Sequence, residues 1–307
     1  MILTKKEIFY IAENTDVFDN QNALSLLSSM SDKPDGTEHG DLDAKGILNK
    51  EGYDPLIIEN LKIVAKPDHV SRLMLNNGFS RVERYTYRKE DQLILVEVNS
   101  EGLKFSQPGS IRDSVLSLSV YLGLSPITYT SFNLSLTKDE GLLLATIVDI
   151  YRKSELAAYL GEKKELTPLS LVEIENELTG ESKVGLLSIL KETYGFEPLS
   201  PDLIETTSES LIEKELLLNK DGLLLNGMLS MFAKSFLIPN CFVTFDTFSV
   251  ISDEEIGYVG NICVAAGLHS LVMFSYDGAA LEITTLSSIA LFKKIEEYLQ
   301  GPKLEKR

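Results

Sequence analysis

Two short phrases occur twice in this chain, in the same order. Leu3-Thr4-Lys5-Lys6-Glu7 returns as Leu136-Thr137-Lys138-Asp139-Glu140, and Leu48-Asn49-Lys50-Glu51-Gly52 returns as Leu218-Asn219-Lys220-Asp221-Gly222. A chain that carries one ordered pattern twice must fold as two related units, which constrains it more than any local propensity. Behind the second phrase, both copies run on alike. An amphipathic stretch (Leu56, Ile57, Ile58, Leu61, Ile63, Val64; Leu229, Met231, Phe232, Phe236, Leu237) precedes a proline, Pro67 or Pro239. Proline cannot donate the next helical hydrogen bond, so it marks a helix end. The period then changes to two. Gln92–Val98 and Ser270–Tyr276 are β-branched and aromatic runs followed by Asn99-Ser100-Glu101-Gly102 and Asp277-Gly278, which predicts strands entering hairpins. Helical spacing closes each copy, through Ile111, Val115, Leu118 and Leu122, and through Ile289, Phe292, Ile295 and Leu299; Tyr121-Leu122 and Tyr298-Leu299 complete the match.

The spacing between phrases is about 37 residues longer in the second copy. That insert, around 167–217, has a helical pattern. Thr167-Pro168 and Ser200-Pro201 suit a cap residue followed by proline at the first helical position, where the missing N–H costs nothing. Thr4 and Glu7, like Thr137 and Glu140, stand three apart before an apolar run, as a capping box requires. Each copy is therefore expected to begin with a helix. Between Met30 and Asp43 the polar, turn-rich sequence predicts an exposed loop.

With 307 residues and 44% hydrophobic content, the chain can bury one large core or two moderate ones. Lysines and a glutamate in the first ten residues exclude a secretory h-region, and Lys220, Asp221 and Lys234 interrupt the most apolar region, so a cytoplasmic protein without membrane insertion is expected. Cys241 and Cys263 lie in apolar, strand-like surroundings and are expected to be small buried hydrophobes. A formal net charge of −17 argues against nucleic acid, since phosphate binding draws on a local excess of lysine and arginine. Arg72, Arg81, Arg84, Arg88 and Lys89 do gather in the first strand region, and alternation assigns Arg84 and Arg88 to what reads as a solvated sheet face.

No catalytic or cofactor motif stands out. His39, His69 and His269 are isolated, with no paired histidine and no cysteine at zinc-ligand spacing. Neither a Gly-x-Ser-x-Gly elbow nor a phosphate loop occurs, and Gly257, Gly260 and Gly267 have the wrong spacing for a dinucleotide turn, suiting close packing or bulges. Asp32, Asp35, Glu38, Asp41 and Asp43 lack the ligand order of a calcium loop. The expectation is a protein that is not an enzyme and holds neither cofactor nor metal.

What remains is a binding surface. Alternation places Tyr85 and Tyr87 on one strand face with Arg81 and Glu83, and separates Val243, Phe245 and Thr247 from Phe242, Thr244, Asp246, Phe248 and Val250. Aromatic residues on both faces need cover on both, from the protein's own helices or from a partner. Tyr85, Tyr87, Phe245 and Phe248 are the candidate partner-binding residues.

The order of elements, carried by Leu3-Thr4-Lys5-Lys6-Glu7, Gly46-Ile47-Leu48-Asn49-Lys50-Glu51-Gly52, Ala65-Lys66-Pro67 and Leu122-Gly123-Leu124-Ser125-Pro126, resembles the EspG family, the cytosolic chaperones of type VII secretion systems. The resemblance spans nearly the whole chain in layout and implies an internally duplicated, quasi-two-fold α+β fold with a central antiparallel sheet flanked by helical bundles. It also implies a protein partner, a small helical secreted protein held at its tip. The chain departs from the family in lacking tryptophan and in its helical insert. A tandem winged-helix regulator shares the order of two helices and a hairpin, with Leu56–Lys66 or Met228–Leu237 as recognition helix, but only Lys62, Lys66 and Lys234 there reach toward phosphate. The chain thus divides into a first α+β repeat, 1–130, and a second, 131–307, packed as one body.

Overall fold

The computed structural model describes residues 1–76, 81–118, 131–161, 168–180, 185–237, 241–252, 255–267 and 271–300, without the side chains of 29, 259–261 and 266. In chain order the first half comprises β1 (Ile2–Leu3), α1 (Lys5–Asn14), α2 (Glu38–Ala44), β2 (Leu48–Asn49), β3 (Gly52–Tyr53), α3 (Pro55–Ala65), β4 (His69–Asn76), β5 (Arg81–Lys89), β6 (Gln92–Asn99), β7 (Gly102–Ser106) and α4 (Ile111–Ser117). The second half comprises β8 (Asn133–Leu136), α5 (Lys138–Tyr159), α6 (Leu171–Thr179), α7 (Leu186–Tyr194), α8 (Ile204–Glu213), β9 (Leu217–Asn219), β10 (Leu223–Leu225), α9 (Gly227–Ser235), β11 (Cys241–Val250), β12 (Ile256–Ala266), β13 (Leu271–Tyr276), β14 (Leu281–Leu286) and α10 (Ser288–Gln300). Apart from α6 and α7, the second series repeats the first.

Ten strands form one antiparallel sheet in the order β1-β7-β6-β5-β4-β11-β12-β13-β14-β8, which follows the same element sequence from either edge inward. The halves meet at β4 and β11, joined from Asn76↔Phe242 to His69↔Ser249. One face of this sheet is covered by α4 and α10: Leu73, Leu75, Val243, Phe245, Ile262 and Val264 pack under Val115, Leu118, Leu291, Ile295 and Leu299. The other face carries two bundles. Val70, Tyr87, Ile94, Val96 and Phe105 pack with α1 and α3 at one end, and Cys263, Ala265, Val272 and Phe274 with α5, α7 and α9 at the other. The fold is α+β, as expected.

Matching anchors hold matching helices. At each start the threonine hydroxyl accepts from the N–H of the glutamate three residues on, and that carboxylate accepts the threonine N–H. These glutamates are buried, and each also takes a lysine that follows the corresponding helix of its half: Glu7 pairs with Lys45 after α2, Glu140 with Lys214 after α8, both at 2.7 Å. Ser210 donates a further bond to Glu140. Burial favours the protonated form of Glu140, but the bonds from Lys214, Ser210 and Thr137 outweigh it and hold its pKa below the usual value. Both short hairpins follow a chain reversal at positive φ, Gly46 in one half and Glu215 in the other.

Three expectations need correction. Glu38–Ala44, inside the supposed loop, is helix α2, because the Glu38 carboxylate is buried while accepting the N–H groups of Asp35 and Gly36, and Leu42 is fully buried. Pro168 does not begin a helix; α6 starts at Leu171, capped by Ser170 with Glu173 in a capping box. Pro201 does open a short 3-10 turn that leads into α8. Arg84 does not face solvent either: it lies buried beneath α4, where it donates to Ser117 Oγ at 2.7 Å and pairs with Glu97. Thr167, Tyr121, Leu122, Pro239, the Leu122–Pro126 phrase and the boundary after residue 130 concern or adjoin stretches outside the described residues.

The seam is polar at one end of the face under α10. His69 Nδ1 meets Ser249 Oγ at 2.7 Å, Nε2 faces the Tyr298 carbonyl at 3.3 Å, and Ser71 bridges to Thr247. Burial, with the neighbouring charge of Arg88, lowers the His69 pKa to about 4. The unfolded chain binds a proton near 6.5, so stability is complete above that pH and falls as pH drops toward the folded value, by on the order of 3 kcal/mol in all. Thermal unfolding followed by circular dichroism should show the midpoint falling from pH 7 to pH 4.5, with a flatter profile in His69→Asn; equal profiles would refute this assignment. Separately, Glu140→Ala should cost about 2–3 kcal/mol, because the cap bond and the buried lysine pair go together, whereas Glu140→Gln keeps the cap and should cost less. Chemical denaturation measures both, and equal losses would show that the cap contributes nothing.

Candidate functional site

Among the described residues the helices of the two bundles share no extensive contact over the seam. Between them, on the face opposite α4 and α10, β4 and β11 form the floor of an open cleft of about 410 Å³, with α7 as one wall. Strand alternation decides which residues face it. Arg72, Met74 and Asn76 from β4 and Phe242, Thr244 and Asp246 from β11 point into the cleft, while their neighbours Leu73, Leu75, Val243 and Phe245 point under α4 and α10. Ile189, Glu192 and Thr193 of α7 and Arg81 of β5 complete the walls.

The rungs give the cleft a charge pattern. Arg72 lies opposite Tyr85 on one side and Asp246 on the other, and one rung further on Glu83, Met74 and Thr244 are aligned. Arg72 Nε donates to Glu83 Oε1 at 2.8 Å, and the Tyr85 hydroxyl donates to the same oxygen at 2.7 Å. Burial pulls the Glu83 pKa upward, yet the bonds from Tyr85 and Arg72 prevail and keep it below the usual value. Tyr85 is pushed up to about 12 by burial and by the adjacent Glu83 charge. Asp246 is raised by burial, against the opposing pull of Arg72 and a hydrogen bond from Tyr258. The first half thus supplies Arg72 and Arg81, and the second supplies Asp246 and Glu192. On the floor, the buried hydroxyl oxygen of Thr244 has no hydrogen-bond partner among the described residues.

The α7 wall is fixed from behind. Asp149 of α5, buried, accepts the N–H groups of Leu186 and Leu187 at the first turn of α7, at 3.1 and 3.0 Å. Arg152 neutralises it at 3.0 Å and reaches the Leu237 carbonyl at 3.3 Å. Gly185 packs so close that a Cβ there would fall 2.3 Å from the Asp149 carboxylate. A carboxylate at a helix start satisfies otherwise unpaired donors and meets the positive end of the dipole.

The four residues expected to contact a partner are divided by the fold. Tyr87 is 3% exposed in the first core and Phe245 is 1% exposed under α10, so both serve packing and present no surface to a partner. Tyr85 is half-buried, stacked on Tyr87 at 6.1 Å, and reaches the cleft through its hydroxyl bond to Glu83. Phe248 is half-buried beyond the cleft, against Tyr258 with ring centres 5.3 Å apart. Alternation alone could not find α7, which comes from the insert and has no counterpart in the first half. Both cysteines are buried and unbridged; Cys263 lies on the bundle face and Cys241 under α10, and burial raises their pKa values to about 12 and about 11. Among the described residues no three histidine, cysteine or carboxylate side chains gather to hold a metal ion, and no helix is long and apolar enough to cross a membrane.

No protein-family profile and no curated protein matches this sequence. Among solved structures, the chain resembles the type VII secretion system chaperone EspG5 of Mycobacterium tuberculosis, determined in complex with the PE25–PPE41 dimer. The alignment covers 98% of this chain and 94% of that one, with a TM-score of 0.54 and 9% sequence identity. The two proteins share a fold along essentially their whole length.

If Asp149 holds the α7 wall, Asp149→Ala should cost about 3–5 kcal/mol, since it strands Arg152 and two backbone donors in the core. Hydrogen exchange should then accelerate first in Leu186–Tyr194; uniform acceleration over the whole second half would count against this role.

Proposed function

We propose that this chain is a non-enzymatic, EspG-like binding protein of the cytoplasm that holds a helical segment of a protein partner in the seam cleft, as a secretion chaperone holds its substrate. The carrying observation is the whole-length fold shared with EspG5, a chaperone captured with a PE–PPE dimer. The cleft supports the reading on its own terms. It has an apolar floor in Met74 and Phe242, with cationic groups in Arg72 and Arg81 and anionic groups in Asp246 and Glu192. Such a mixed lining gives orientation as well as area, because a wrongly placed charge is repelled. A small helical secreted protein fits that description.

The winged-helix alternative has little in its favour. Its recognition helices would be α3 and α9, whose apolar faces are buried in the two cores, and the net charge of −17 repels phosphate.

Affinity capture followed by reconstitution tests the proposal. The purified chain should form a stoichiometric complex with one small helical protein, stable on size exclusion. The double substitution Arg81→Glu and Glu192→Lys should weaken that complex at least about tenfold while leaving the melting temperature within about 2 °C. A complex that ignores these substitutions would move the site elsewhere, and a chain that binds no helical protein would overturn the proposal.

A further inference from the structure

One difference between the halves lies along the strand next to the seam pair. Strand β5 pairs with β6 from Lys89 back to Glu83, which leaves only Arg81 and Val82 past the end of its outer neighbour. Its counterpart β12 pairs with β11 from Ile256 to Ala266, whereas β13 accompanies it only between Ile262 and Ala266. The chain turns away at Asp277 and Gly278, so β12 runs on toward Ile256 while its outer neighbour has stopped.

That missing length is a cavity. It measures about 630 Å³ and is bounded from both layers, by Tyr194 of α7 and Tyr276 on the bundle side and by Tyr298 of α10 on the other, with Tyr258 of β12 alongside. Asp277 and Glu282 supply its charge, and among the described residues no lysine or arginine lines it. The Asp277 carboxylate is held in place by the N–H groups of Ala279 and Ala280 at 2.9 and 2.8 Å, which lower its pKa and keep it ionised. The Tyr298 ring already lies under an ammonium of its own chain, Lys294, at 5.9 Å. Aromatic rings beside carboxylates favour an amino or guanidinium group, and the side of a strand offers a ladder to another extended chain. A bulge where the β11–β12 register shifts, at Thr247/Phe248, limits such pairing to a short segment.

We propose that this notch takes an extended segment of a protein partner, laid beside β12, with a lysine or arginine side chain entering between the tyrosines toward Asp277 and Glu282. The notch adjoins the seam cleft at Thr193 of α7 but shares none of its charged lining residues, and the proposal does not rest on the chaperone reading. In a partner already held by a helix in the cleft, it would supply a second, extended contact of opposite charge to this acidic chain.

A fluorescein-labelled nonapeptide of alternating Thr and Val with one central Lys, blocked at both ends, tests this with the full chain. Anisotropy should show saturable binding that weakens about tenfold in the double variant Asp277→Asn and Glu282→Gln, in which the asparagine still caps the turn. The same peptide with central Glu, or with alternate amides N-methylated, should not bind. Hydrogen exchange should slow at residues 256–261 when the Lys peptide is added. Absence of saturable binding, equal binding of either control peptide, indifference to the double variant, or protection elsewhere would each overturn the proposal. None of these outcomes bears on the seam cleft, which Arg81→Glu and Glu192→Lys probe independently.

Discussion

The ladder between β4 and β11 is the constraint on which the rest of the molecule depends. Without it each half would be a five-stranded sheet with an open edge of unpaired backbone groups, a template for aggregation. Joined from His69 to Asn76 with Ser249 to Phe242, the two edges close each other and the sheet becomes ten strands wide. The same ladder fixes side-chain direction. Val243 and Phe245 must enter the core under α4 and α10 because their rung partners Leu75 and Leu73 do, and Thr244 and Asp246 must then face the opposite side. A slip of one residue would exchange these sets and place Asp246 in the core. The seam therefore holds the halves together and makes the cleft in one stroke.

Buried carboxylates do a different kind of work. Glu7 and Glu140 cap the first helix of each half and take a lysine from the end of α2 or α8, so one side chain satisfies backbone donors and ties two helices. Asp149 does the same between helices distant in sequence, capping α7 from α5. Each ion is hydrogen-bonded on several sides, the condition under which a buried charge is tolerable. Because α7 is set by Asp149, the wall of the cleft inherits the rigidity of the long helix α5. That is the geometry a pre-formed binding surface requires.

Hydrophobic period and turn residues were enough to place β6 and β13, the helices α3 and α9, and the capping boxes at Thr4 and Thr137, because these are local and each half repeats them. Helix α2 was hidden: its core contact is Leu42 alone, and its start depends on Glu38 folding back onto the backbone of Asp35 and Gly36. Pro168 misled because the cap is Ser170, whose capping box with Glu173 follows the same rule that succeeded at Thr4. For the site, alternation sorted Phe242, Thr244 and Asp246 from Val243 and Phe245 correctly. It could not rank Tyr87 and Phe245 as core, since burial depends on which helices lie above them.

By itself the sequence determined two similar sets of elements, an added helical insert, an acidic surface, and the alternation of side chains along each strand. Those properties follow from intervals of a few residues, where backbone geometry acts directly. Only the tertiary structure decided that β4 meets β11, that the bundles stand apart over that seam, that the insert helix α7 forms its wall, and that β13 stops short of β12. Each of these joins groups far apart in the chain, and its free energy belongs to the contact rather than to either segment.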